Sequence, residues 1–228
     1  MLNIALITTT ILLAIFSFAL GIFSLYRNPK AKVARLWFLM SLAVVIWSLA
    51  YLFTVLVADP QTGAITIRVL YFGASLIPIL YFHFVASFLL KDISRRFLLI
   101  LGYVLAFIFL ALNIFTNLVI RGVRYLPGLG YYEDIALPGF ILFLVYFAFF
   151  VLYAIILLIK GYNQSEGMMR RKIFWILAAS VVGFIGGGSN FLTDLTGIYP
   201  YGQFIAWLYP LFITYGIFVD EIQIKIKF

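Results

Sequence analysis

The sequence predicts an all-α membrane protein built as a bundle of seven transmembrane helices. The first observation is composition: of 228 residues, 65% are hydrophobic and 11% are charged, and the mean hydropathy is +1.14. A soluble domain of this length has too little interior to bury so much apolar surface. The second is that the apolar residues form continuous stretches of about 20 residues, which is the length of a membrane-spanning helix. Continuous rather than alternating stretches exclude a transmembrane β-barrel.

Seven stretches are long enough to cross a bilayer as helices. They are predicted at residues 4–26, 36–57, 65–90, 97–119, 138–159, 173–193 and 203–219. The first lacks a basic N-terminal region and is long enough to span the membrane. We therefore interpret it as a transmembrane helix rather than as a cleavable signal peptide.

The connections between the stretches alternate in charge. The basic connections follow the odd-numbered stretches, at residues 27–35, 91–96 and 160–172, and together with the tail they hold 13 of the 16 Lys and Arg residues. Because basic loops remain in the cytoplasm, the N-terminus is predicted outside and the C-terminus in the cytoplasm of a multi-pass cell-membrane protein. The net charge of +8 is explained by these loops. The bilayer is therefore a predicted partner, and nucleic acid is not.

The long outer connection and the C-terminal tail have patterns of their own. Residues 120–137 read VRYL, PG and LGYY in order, which predicts a short extracellular β-hairpin turning at Pro127-Gly128, with a plain loop as the alternative. The tail DEIQIKIKF alternates isoleucine with polar residues, as in a short strand or the frayed start of a helix. The predicted domains are thus a transmembrane domain at 1–220 and a short cytoplasmic tail at 221–228.

The sixth stretch combines its weakest helix formers with its polar residues. It reads VVGFIGGGSNFLTDLTG and contains three consecutive glycines, Gly186, Gly187 and Gly188. Gly183, Gly187, Asn190 and Asp194 are spaced by four, three and four residues, so they share one helical face. The spacing Gly183-x-x-x-Gly187 allows a neighbouring helix to approach closely. A hinge or the floor of a binding pocket is the alternative for the glycines, and a solvated helix end is the alternative for Asp194.

We expect a ligand site at the outer mouth of the bundle. In this hypothesis Asn190 and Asp194 line a cavity roofed by residues 120–137, and Tyr199 and Gln203 lie nearby. Arg68, at the outer end of the third stretch, either reaches Asp59 or Asp194 or extends to lipid headgroups. The predicted ligand-binding residues are therefore Asn190, Asp194, Tyr199, Gln203 and Arg68.

Other unusual residues lie within the apolar stretches. Pro78 and Pro210 each remove a backbone hydrogen bond and are predicted to kink the third and seventh helices, either as static shape or as bends that transmit movement. His83, the single histidine, is interpreted as a neutral side chain bonded to a neighbour, with a proton-linked role as the alternative. Asn113 and Asn117 are predicted to face one way and to bond between helices.

Several chemistries lack the residues that they need. The chain has no cysteine and one histidine, so neither thiolate nor clustered-histidine metal sites are expected. Phosphate-binding, serine-hydrolase and zinc-protease motifs are absent. The seventh stretch has no lysine that could hold retinal as a Schiff base. The sequence therefore predicts no catalytic residue, no metal, no cofactor and no enzymatic activity.

Four segments together carry a resemblance to a known family. They are RVLYFGASLIPILYFHFVASFLL at 68–90, RGVRYLPGLGYY in the outer connection, the glycine-rich sixth stretch, and GIYPYGQ at 197–203. With seven predicted spans, the chain resembles the seven-transmembrane N-terminal sensor region of bacterial histidine kinases over residues 1–220. The resemblance implies a membrane sensory module that detects an unknown small or membrane-borne ligand. It also implies a relay through the seventh helix to a cytoplasmic kinase or regulator.

The tail departs from the family pattern. No linker helix, dimerisation histidine or ATP-binding domain follows Asp220 and Glu221, so we expect either a free-standing sensor that acts through a partner or a shortened kinase. A homodimer is compatible with either arrangement. The alternative function is a small transporter or permease subunit, which needs a polar path across the bilayer. A purely structural membrane partner is the third interpretation.

Overall fold

The computed structural model describes the backbone of residues 2–226 and the side chains of residues 4–219. Within this range the chain forms eight helices and one two-stranded sheet. The elements are α1 (Leu2–Arg27), α2 (Lys32–Leu56), α3 (Pro60–Phe88), α4 (Arg96–Phe115), β1 (Ile120–Leu126), β2 (Gly130–Ile135), α5 (Leu137–Gln164), α6 (Gly167–Thr196), α7 (Gln203–Ala206) and α8 (Tyr209–Ile226).

The predicted multi-pass architecture is confirmed. Helices α1 to α6 are each long and apolar enough to cross a membrane. Most extend beyond the predicted apolar stretches, because the helical backbone continues into the polar residues that flank the hydrocarbon region. The fourth shows the largest shortening at its end: it stops at Phe115 rather than near residue 119, because Thr116 takes an extended conformation with φ −138° and ψ 170°. The chain then continues into β1.

The seventh predicted span is divided into α7 and α8. The division falls at Trp207 and Leu208, which form a turn. Pro210 follows this break and lies in the first turn of α8, where the missing N–H has no helical partner to lose. Pro78, in contrast, lies inside α3.

Helix α8 includes most of the predicted tail. Its backbone remains helical to Ile226, so the alternative of a strand for residues 220–228 is wrong over the described part. The last two residues of the predicted tail, Lys227 and Phe228, lie outside the described residues.

Helix α3 is the centre of the bundle. In its most apolar segment 72% of the residues are buried inside the protein, against 33–50% in the other long helices. It packs along α2 and also contacts α4, α5 and the hairpin. Gly73 permits the approach to α2, because a methyl group at this position would lie 2.5 Å from the carbonyl oxygen of Ala43 and 2.8 Å from the amide nitrogen of Trp47.

Strands β1 and β2 form the predicted hairpin, which is confirmed. Leu126 pairs with Gly130 across a turn that contains Pro127 and Gly128. The backbone of Gly128 has φ +81°, a conformation that glycine adopts without strain. The hairpin lies across the ends of α2 and α3, where the hydroxyl of Tyr131 donates to the carbonyl oxygen of Ala58 at 3.3 Å. We call this end of the bundle the hairpin end and the opposite one, with the three basic connections, the basic end.

An ion pair connects two of the basic connections. Lys32 Nζ lies 2.5 Å from Asp92 Oδ2, and the two side chains are 48% and 25% exposed. The hydrogen bond from Lys32 holds the pKa of Asp92 below its usual value. A carboxyl group with a lowered folded-state pKa contributes stability above its unfolded pKa and loses it as the pH falls through the folded value.

We therefore expect Asp92→Asn to lower the free energy of unfolding by less than about 1 kcal/mol at pH 7, because the pair is solvated. The difference from the wild type should vanish as the pH falls through the lowered folded-state pKa of Asp92, below which the carboxyl group is protonated in both states. Unfolding in mixed micelles, followed by circular dichroism between pH 2 and pH 7, measures this. A difference that persists at the lowest pH would contradict the assignment to the ion pair.

Candidate functional site

A chain of hydrogen bonds crosses the bundle beneath the hairpin. The hydroxyls of Tyr51 and Tyr132 lie 2.5 Å apart, and Tyr132 donates to Asn190 Oδ1 at 3.5 Å. Asn190 Nδ2 donates to Gln203 Oε1 at 3.3 Å, and Gln203 Nε2 donates to Thr10 Oγ1 at 3.4 Å. These five side chains are buried and come from α2, β2, α6, α7 and α1. We call them the polar layer, and they link the hairpin directly to the start of the seventh span.

The polar layer contains two tyrosine hydroxyls at its hairpin side, those of Tyr51 and Tyr132. Burial raises the pKa of Tyr132 far above its ordinary value, so its hydroxyl keeps its proton and acts as the donor to Asn190. Either hydroxyl can be the donor in the 2.5 Å contact between Tyr51 and Tyr132. Two of the predicted ligand residues, Asn190 and Gln203, are therefore in contact and are already engaged by neighbours.

Asp194 belongs to a second, charged cluster at the same end. Its carboxyl group lies beside that of Glu133 on β2, and both residues are at least 95% buried. Arg124 on β1 donates from Nη2 to the carbonyl oxygens of Asp194 at 2.5 Å and Thr193 at 3.4 Å. Its guanidinium thus offsets negative charge in this cluster and satisfies carbonyls at the C-terminal end of α6.

Part of this charged cluster is not satisfied. Asp194 Oδ1 and Arg124 Nε are buried, and neither has a hydrogen-bond partner among the described residues. Buried polar atoms of this kind are costly unless the surrounding charges offset them. The alternative of a solvated helix end for Asp194 does not hold, because the side chain is 3% exposed.

Arg68 and Tyr199 lie apart from these two clusters. Arg68 donates to the carbonyl oxygens of Asn113 and Ile114 and, at 3.2 Å, to Asn117 Oδ1. It therefore caps the C-terminal end of α4 rather than pairing with an aspartate, because those carbonyls have no partners within their helix. Tyr199 packs in the α6–α7 connection, with its ring 5.0 Å from that of Tyr201.

The predicted intramembrane polar residues have separate neighbours. His83 Nδ1 lies 2.8 Å from the Tyr103 hydroxyl, which joins α3 to α4. Asn113 is 1% exposed, and its side-chain amide has no partner among the described residues. Asn117 lies beyond the end of α4 and so does not share a helical face with Asn113.

A cavity lies deeper in the bundle than the polar layer. The centre of a water-sized molecule can move through about 60 Å³ within it. Its lining is almost entirely apolar and comes from seven helices, with Trp47, Tyr81 and Tyr209 among the larger side chains. None of the five predicted ligand-binding residues lines it, so their role in binding stays a prediction.

The three consecutive glycines of α6 have different surroundings. A methyl group at Gly186 would lie 2.7 Å from Ala206 Cβ and 3.0 Å from Ala206 Cα, so this glycine lets α7 approach. Methyl groups at Gly187 and Gly188 would meet nothing within 4 Å, and both residues line the cavity. Close packing against α7 therefore requires a glycine at position 186. Gly187 and Gly188 instead leave open space in the cavity.

Several residues of the site were not among the predicted ones. Glu133 is the most important, since it is the buried carboxyl partner of Asp194. The sequence signal was an acidic residue next to two tyrosines in a strand that has to cover a bundle, where a charged side chain on the covered face needs a partner. Tyr81 and Ser180, which bond at 2.6 Å beside the cavity, have no distinctive sequence context.

The comparisons with known proteins give one match. A family model described as the N-terminal 7TM region of histidine kinase matches residues 9–222. The comparisons with curated proteins and with solved structures gave no match. Among the described residues, no group of three or more His, Asp and Glu side chains could hold a metal ion.

Proposed function

The chain belongs to the family of N-terminal seven-transmembrane regions of histidine kinases, and from this premise we propose that it is a sensory-input module. In this proposal a small or membrane-borne ligand changes the packing of the bundle, and α7 and α8 relay the change to a cytoplasmic kinase or regulator. A sensor requires two conformations to which its ligand binds unequally. The proposal therefore needs an element that can move and a connection that reaches it.

The polar layer is the observation that supports the relay most directly. Gln203 is the first residue of α7, and it bonds to Asn190 on α6 and to Thr10 on α1. Through Asn190 it is connected to Tyr132 on the hairpin. A rearrangement at the hairpin or in α6 that changes the position of Asn190 therefore acts on the start of the seventh span.

The break at Trp207 and Leu208 supplies the element that can move. Because no continuous helical ladder joins α7 to α8, α8 can shift without bending a rigid helix. It packs against α6 through Tyr209 beside Gly183, where a methyl group would lie 3.1 Å from the ring. At the basic end Arg171 donates to the Tyr215 hydroxyl at 3.2 Å. We propose that this α6–α8 contact changes between the two states.

The relay can be tested by measuring the position of α8. The chain has no cysteine, so Ile100→Cys on α4 and Ile217→Cys on α8 give a pair of spin-label sites near the basic end without further changes. Distances would be measured by pulsed electron paramagnetic resonance in lipid nanodiscs. We expect Gln203→Met, which keeps the length of the side chain but removes its bonds to Asn190 and Thr10, to shift or broaden the distance distribution.

Ser48→Ala is the matched control. Ser48 is buried, and among the described residues its hydroxyl bonds to the carbonyl oxygen of Val45 in its own helix and to no other helix, so its removal should leave the distances unchanged. Equal distributions for Gln203→Met and the wild type would contradict a relay through the polar layer. Saturable uptake of a solute by proteoliposomes would instead favour the transporter alternative.

A further inference from the structure

We propose that the cavity binds a compact, uncharged and mainly apolar molecule that carries one hydroxyl group and enters from the lipid between α5 and α6. This inference deepens the proposed sensory function and rests on it, because it names the class of ligand that the module detects. It is carried by the cavity lining, the exposure of one wall and the hydrogen bonds of Tyr81.

The lining excludes a charged ligand. Among the described residues, no Asp, Glu, Lys, Arg or His side chain contributes to the cavity, so an ion inside it would have no counter-charge from them. The floor at Gly187 and Gly188 offers open space where any other residue would place a side chain. An apolar molecule can fill this space without displacing packed groups, whereas a hydrated or ionic one would lose its solvation.

One wall of the cavity differs in exposure from the rest. The lining residues from α1, α2, α3, α7 and α8 are at most 9% exposed. The partly exposed lining residues all belong to α5 and α6 and include Phe147, Phe184 and Phe191. The ring of Phe147 lies 5.0 Å from that of Phe191 and 6.1 Å from that of Phe184, edge to face in both pairs. These three rings form a seam between two lipid-facing helices, and this seam is the entry route in the proposal.

Tyr81 is one of the lining residues that carry a polar atom, together with Ser180, Trp47 and Tyr209. Ser180 uses its only proton to donate to the carbonyl oxygen of Ile176 at 2.6 Å. The 2.6 Å contact between the Ser180 and Tyr81 hydroxyls therefore has Tyr81 as its donor. The Tyr81 oxygen accepts no hydrogen bond from the described residues, so its lone pairs are free for a donor on the ligand. A hydroxyl group is the uncharged donor that fits beside an apolar chain.

Photolabelling tests the site. The full chain in phosphatidylcholine nanodiscs would be irradiated with 1-octanol carrying a diazirine on its alkyl chain, and adducts would be located by mass spectrometry. We expect adducts on the cavity lining around Gly187, Phe184 and Tyr81. Unlabelled 1-octanol should compete at least about 5-fold better than n-octane at equal concentration in the lipid, as one hydrogen bond provides.

Two variants separate the cavity from the lipid-facing surface. Gly187→Leu fills the floor and should abolish cavity adducts, while Val181→Leu, on the exposed face of the same helix, should leave them unchanged. Tyr81→Phe keeps the shape of the cavity and should remove the preference for octanol over octane. Thermal unfolding of each variant checks that it folds. If Gly187→Leu does not fold, the comparison of octanol with octane in Tyr81→Phe still decides the proposal.

Each outcome decides the proposal. Adducts only on lipid-facing residues, or cavity labelling that survives Gly187→Leu in a folded protein, would overturn the site. Equal competition by octane and octanol in the wild type would overturn the hydroxyl-bearing class. Cavity labelling without any octanol-induced change in the distance from position 100 to 217 would support this inference while contradicting the relay. A Gln203→Met variant with a shifted 100-to-217 distance, in a protein whose cavity is not labelled, would support the relay and contradict this inference.

Discussion

Gly73→Ala is expected to lower the free energy of unfolding by about 1–3 kcal/mol, the usual range for an overpacked interior. The added methyl group would lie 2.5 Å from the Ala43 carbonyl oxygen and 2.8 Å from the Trp47 amide nitrogen. Both atoms belong to the backbone of α2, which cannot rotate away as a side chain can. The helices α2 and α3 must therefore separate, and their contact is the most extensive in the bundle.

Gly187→Ala is the matched control for Gly73→Ala. Both glycines lie in the interior of long helices, so the gain in helix propensity of up to about 1 kcal/mol applies to each. A methyl group at Gly187 meets nothing within 4 Å, and this variant should be as stable as the wild type or more stable. Unfolding in mixed detergent micelles, followed by circular dichroism, measures both. Equal stability of the two variants would show that α2 and α3 do not approach as closely as described.

Arg124→Gln is expected to cost about 2–3 kcal/mol, because it removes the only positive charge that is bonded to the charged cluster among the described residues. The carboxyl pair of Glu133 and Asp194 would keep its negative charge in a buried position. The carbonyl oxygens of Thr193 and Asp194 would also lose their donor. The hairpin should loosen from the end of α6, which hydrogen exchange at the amides of β2 would report as faster exchange.

Arg121→Gln provides the control on the same strand. Arg121 lies 3.9 Å from Asp134, and the two side chains are 61% and 51% exposed, so the pair contributes less than about 1 kcal/mol. Replacing Arg121 removes the same charge from β1 without touching the charged cluster. If the two variants lost equal stability, the effect would come from the net charge of the hairpin rather than from the buried contacts of Arg124.

The positions of the candidate residues show which contacts the sequence indicated and which it did not. The spacing of Asn190 and Asp194 placed both on one face of α6, and both side chains are directed to the hairpin that was expected to cover them. Gln203 was chosen for its nearness in sequence, and it bonds to Asn190. Arg68 was chosen for its charge near the outer end of α3, and its contacts are with the end of α4 instead. Charge alone did not identify its partner, since backbone carbonyls at a helix end compete with carboxylates for a guanidinium.

The sequence by itself determined that lipid surrounds the chain, how many spans it has and where the hairpin lies. These properties follow from local features: the length of apolar stretches, the alternation of basic loops and the turn chemistry of Pro127-Gly128. Only the tertiary structure decided which of three adjacent glycines touches a helix and which two face a cavity, and it alone paired Glu133 with Asp194. Those outcomes depend on distances between segments far apart in the chain, and residue types that look equivalent along the sequence acquire different roles only when particular neighbours are packed against them.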